Sequence, residues 1–67
     1  MNQIIKMANQ IAAFFESQPG DQAAGIATHI NENWSLDMRA DLMAELDNPA
    51  LAALVKEAAP AIRKPAA

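Results

Sequence analysis

The chain has 67 residues, a net charge of −3 with only five Lys and Arg, and no cysteine. These values exclude a disulfide framework, thiolate metal sites and iron–sulfur ligation. They also argue against the basic face that nucleic acid or an anionic membrane surface requires. At this length one domain is expected over residues 1–67, with a core that supplies no more than ~3–5 kcal/mol of net stability. With disulfides and metals gone, a protein partner is the remaining way to reinforce it.

Four segments carry a helical period, and β-branched residues are too sparse for strands. The first helix is expected from Asn2 to Ser17. Its central stripe is Ile4, Ala8, Ile11 and Phe15, flanked by Ile5 and Ala12 on one side and by Met7 and Phe14 on the other. This apolar arc covers about half the circumference, wider than the stripe of an ordinary surface helix. Gln18-Pro19-Gly20 ends it, because the residue before a proline is pushed out of the helical region. The second helix is expected from Asp21 to Asn33, with Asp21 accepting from the free amides of the first turn. Ala23, Ile26, Ala27, Ile30 and Trp34 form its stripe, and Gly25 falls on the polar side.

The third helix opens at Ser35 as N-cap and runs to about Leu46. The fourth opens with Asn48 as cap and Pro49 at the first helical position. Leu51, Leu54, Val55, Ala58 and Ile62 share one face of it, and at Pro60 it kinks or ends near Ala59. Arg63 to Ala67 reads as a frayed tail. Short connections between amphipathic helices predict an all-α fold, a small antiparallel bundle of three or four helices.

No converging set of nucleophile, base or metal ligands stands out, so catalytic, cofactor-binding and metal residues are all expected to be none. Asp37, Asp41 and Glu45 line one face of the third helix and read as a solvated acidic ridge. His29 sits beside the stripe of the second helix and reads as a boundary histidine touching a neighbouring helix or a partner. Ser35-Leu36 invites comparison with acyl carrier proteins, which modify a serine at a helix start. Here, however, Trp34 stands before the serine in place of Asp, and capping already accounts for it. Arg39 points between Met43 and Leu46 on an apolar arc, where it must snorkel, find a carboxylate or meet a partner. Asp37 and Asp41 point away from it, which favours a carboxylate on a partner.

Several stretches resemble the delta subunit of the soluble, cytoplasmic, NAD-dependent molybdenum formate dehydrogenase of bacteria. They are Lys6-Met7-Ala8-Asn9-Gln10-Ile11-Ala12 followed by Phe14-Phe15, His29-Ile30 before Trp34, and Met38-Arg39 before Leu42. They span most of residues 4 to 46. The family's Pro and basic residue ahead of Met-Arg are replaced here by Leu36 and Asp37. The resemblance implies a cytoplasmic accessory subunit that binds, stabilises or helps assemble the large catalytic subunit. The molybdenum, iron–sulfur and flavin centres would then reside on the larger chains. The expected partner-binding residues are Arg39, Asn9, Gln10, Met43 and His29, Asn9 and Gln10 entering through the resemblance. The alternatives are a carrier protein using Ser35 and a freestanding helical homodimer with a regulatory role, and a homodimer of the isolated chain is also compatible with the wide apolar arc.

A chain this short and without staples should be helical but only modestly stable in isolation. Thermal unfolding of the proven monomer, followed by circular dichroism, should show its midpoint below ~90 °C; a higher value would mark a hyperstable fold.

Overall fold

The computed structural model of the protein describes residues 2–63. Four α-helices follow one another: α1 (Gln3–Glu16), α2 (Gln22–Asn33), α3 (Leu36–Ala44) and α4 (Ala53–Ala58), and a 3₁₀ turn covers Ala59–Ala61. There is no strand among the described residues, and the fold is all-α. No helix among them is long and apolar enough to cross a membrane.

The local signals place three helix starts. Asn2 Oδ1 accepts from the Ile4 amide at 2.8 Å, Asp21 Oδ1 from Ala24 at 3.0 Å, and Ser35 Oγ from Met38 at 3.2 Å. Each satisfies one of the amides that a helix N-terminus leaves without an internal partner. Between α1 and α2 the chain reverses through Gly20, whose φ of +89° is open to glycine and strained for other residues. The Gln22 side chain ties this turn down by donating to the carbonyls of Glu16 and Gln18.

The fourth start differs from the sequence expectation. Asn48 and Pro49 do not open a helix, and α4 begins only at Ala53. Asn48 Oδ1 instead accepts from Ala50 in a tight turn. The chain then passes through Ala52 in an extended conformation, held there by long-range bonds to Asn9. Leu51 is nonetheless buried, so the apolar face expected of one continuous helix is reached partly by non-helical chain. At the other end α4 stops at Ala58. Pro60 has no amide for an i→i−4 bond, and the backbone tightens into the 3₁₀ turn closed by the Ile62 amide on Ala59 O at 3.1 Å. α3 is also shorter than expected, ending at Ala44.

The core comprises Ile5, Ala8, Ala12, Ile26, Ala27, Ile30, Trp34, Leu42, Leu51, Val55, Ala58 and Ile62. The stripes of α2 and of the C-terminal segment match the sequence expectation except at Ala23 and Leu54, which are half-buried against the core. α1 does not: its buried residues are Ile5, Ala8 and Ala12, and Ile4, Ile11 and Phe15 lie half-buried at the core's edge. The helix is rotated toward its alanine side, because small side chains let neighbouring backbones approach closely. The rotation leaves Phe14 61% exposed.

Gly25 has a packing reason that the helical wheel does not reveal. A Cβ there would lie 2.6 Å from Cε1 of Phe15 and 2.9 Å from its Cδ1, so the Phe15 ring occupies the space that a side chain would need. The bare backbone on α2 is what lets α1 lay an aromatic ring against it. Gly25→Ala should therefore destabilise the protein by about 1–3 kcal/mol through overpacking, although alanine is the better helix former. In a Phe15→Ala background the same change should stabilise by up to ~1 kcal/mol. Urea unfolding of the four proteins of this cycle checks it; stabilisation in both backgrounds would contradict the contact.

Candidate functional site

The rotation of α1 leaves part of its wide apolar arc uncovered. Met7, Gln10, Ile11, Phe14 and Phe15 of α1, with His29 of α2 and Trp34 at its C-terminal end, line an open groove of about 570 Å³. Phe14 and Phe15 are adjacent, so about 100° separates their directions, and the rotation of α1 brings Phe15 toward α2 and leaves Phe14 outside. Phe15 turns in against Gly25 and Phe14 turns out, and their rings meet edge to face with centroids 5.2 Å apart at 88°. Trp34, only 7% exposed, belongs to the core and also forms part of the groove. None of the lining residues is Asp, Glu, Lys or Arg; the polar side chains are Gln10 and His29, both exposed, and Trp34 with its indole N–H.

The structure separates the five residues expected to meet a partner. Gln10 and His29 lie together on the groove. Met43 is half-buried and packs against the core. Asn9, next to Gln10 in sequence, faces elsewhere: its Nδ2 donates to Ala50 O at 2.9 Å and its Oδ1 accepts from the Ala52 amide at 2.8 Å. Arg39 is half-buried, with Nε donating to Ser35 O at 3.4 Å and Nη1 to Arg63 O at 3.1 Å. Carbonyls within the chain, and not only a carboxylate elsewhere, therefore answer its charge. The Arg63 carbonyl and amide are both hydrogen-bonded; residues 64–67 of the expected frayed tail lie outside the described residues.

Phe14 was the lining residue least legible from sequence. Its signal was present in the width of the α1 arc and in the Phe-Phe pair, but neither says which edge of the arc stays open. The acidic ridge also divides. Asp37 and Asp41 are exposed, whereas Glu45 is half-buried and accepts from Asn2 at 3.3 Å and from Asn48 at 3.1 Å. Glu45 is thus a brace between the start of α1 and the end of α3. The Ser35 hydroxyl oxygen serves as the cap of α3. No group of three or more His, Asp or Glu among the described residues is placed to hold a metal ion.

Fold and site together define a small all-α domain with an apolar, aromatic groove on its surface. The chain belongs to the family described as NADH-dependant formate dehydrogenase delta subunit FdsD, whose family model matches residues 3–59. The match runs from the first residue of α1 past the end of α4, well beyond the stretch that carries the sequence resemblance. A comparison with curated proteins found none that matches.

Asn9 and Gln10 should respond differently to truncation. Asn9→Ala removes both bonds to the 50–52 segment and should destabilise by about 1–3 kcal/mol. Gln10→Ala, on the exposed rim, should stay within about 0.5 kcal/mol of the wild type. Equal effects of the two in urea unfolding would contradict these placements.

Proposed function

We propose that the chain is a non-catalytic accessory subunit that binds the large catalytic subunit of an NAD-dependent formate dehydrogenase and stabilises or helps to assemble it. The observation that carries this reading is the family membership, which spans all four α-helices. The physical properties of the chain support it. A domain of this size has little core of its own, and association with a larger chain would add to its stability by mass action. An apolar, aromatic groove suits a protein contact, where aromatic side chains and Met are enriched. In this reading the redox centres belong to the larger subunits, this chain holds no cofactor, and the complex works in the cytoplasm.

The test is made in the native host. The tagged chain should co-purify with the large formate dehydrogenase subunit, and deleting it should lower the yield of assembled, formate-oxidising complex. The reading fails if the tagged chain brings down no formate dehydrogenase subunit. It fails equally if the purified chain oxidises formate by itself.

A further inference from the structure

We propose that α3 is a detachable element: it unfolds and refolds while α1, α2 and α4 stay assembled, so the chain has a second, partly open state. A domain of this size ordinarily unfolds in one cooperative step. Here the packing divides it. α1, α2 and α4 each pack on the other two, and the 3₁₀ turn packs on α2 and α4, whereas α3 packs chiefly on α1. The asparagine bonds follow the same division. Asn9 joins α1 to Ala50 and Ala52, and Asn31 joins α2 to Ala61 and Arg63, so both close the three-helix unit without a residue of α3. Trp34 and Leu51, on either side of α3, are only 7% and 4% exposed. They keep the ends of the intervening chain anchored when the helix between them opens.

What holds α3 is small by comparison. Leu42 is its one fully buried side chain, and Met38 and Met43 are half-buried against the core. Leu36 and Ala44 are exposed, so its apolar residues are not gathered on one inward face. Its polar ties to the rest of the molecule are Arg39 Nη1 on the Arg63 carbonyl at 3.1 Å and, just past its end, Glu45 accepting from Asn2 at 3.3 Å. Both lie at the surface, where water takes over a broken hydrogen bond at small net cost. The Ser35 cap and the Arg39 Nε bond are local to the helix and are lost with it. A nine-residue helix does not persist on such local bonds alone. An element with few buried apolar contacts and exposed hydrogen bonds opens at the lowest free energy. Its opening uncovers Leu42 and the core face beneath it, an apolar surface that the closed state hides and that is distinct from the groove on α1.

Amide hydrogen exchange of the full chain, followed by NMR through a urea series below the unfolding transition, tests this. The amides of Ala40 to Ala44 in α3 should exchange about tenfold or more faster than those of Ala27 and Ile30 in α2. Their urea dependence should be finite but smaller, since opening one helix exposes less surface than unfolding the whole chain. Asn9→Ala separates the two units. The Asn9 bonds persist in both the closed and the open state, so their loss should speed exchange in α2 and α4 and leave that of α3 unchanged. Equal rates and urea dependences in α3 and α2 overturn the proposal, as does equal acceleration of every helix by Asn9→Ala. Exchange in α3 that does not respond to urea also overturns it, because that is local fraying and not unfolding of the element. A wild-type chain that is unfolded in isolation overturns it as well, since the three-helix unit then does not hold itself. If Asn9→Ala fails to fold, the wild-type exchange pattern decides by itself.

Discussion

Two asparagine side chains hold the segment from Ala50 to Arg63 in place, and the position of α4 depends on them. Asn9 of α1 pairs with the carbonyl of Ala50 and the amide of Ala52. Asn31 of α2 does the same one turn of chain beyond α4: Nδ2 donates to Ala61 O at 3.1 Å, and Oδ1 accepts from the Arg63 amide at 2.7 Å. A side-chain amide carries one acceptor and two donors, so it can stand in for a peptide group beside an extended residue. In each case the residue in the middle, Leu51 or Ile62, is buried, 4% and 3% exposed respectively. The clamps thus fix the two points at which the segment enters and leaves the core.

This arrangement explains how so short a helix persists. Six residues of α4 are too few to be stable alone, because helix nucleation is unfavourable and propagation has little length in which to offset it. Val55 and Ala58 bury its inner face, and the clamps order its two ends. Arg39 adds a third tie by reaching the Arg63 carbonyl. The molecule therefore uses polar side chains on α1, α2 and α3 to hold a segment whose own helical propensity would not suffice.

The same economy of core leads to the open groove on α1. α1 turns its alanines inward, and the rings on its other flank find cover only in part: Phe15 against the bare backbone of Gly25, Phe14 against Phe15 and solvent. A larger domain would have a further element over this edge. Here the edge remains a groove, on a member of a family of enzyme subunits. The burial of Ile5 and the exposure of Phe14 are thus two consequences of one helix rotation.

The sequence by itself determined the helical class, three of the four helix starts, the stripe of α2 and the inward face of Leu51, Val55, Ala58 and Ile62. These depend on capping side chains and on a 3.6-residue period, both of which act within a few residues. It also carried the family in the Met-Ala-Asn-Gln-Ile-Ala stretch. Tertiary structure decided the rest. A half-circumference arc on α1 is compatible with several rotations, and only the neighbouring helices select the one that buries Ile5 and exposes Phe14. Asn48-Pro49 is a sound local helix start, but Asn9, 41 residues from Ala50, holds the chain in a turn that leads to extended Ala52 instead. Asn9 and Gln10 look alike in sequence, yet their directions differ by about 100°, so one clamps the backbone and the other borders the groove. Arg39 found carbonyls brought to it by chain folding, a partner that no spacing along its own helix could indicate. Local chemistry specifies the elements; which faces meet depends on contacts between residues far apart in the chain.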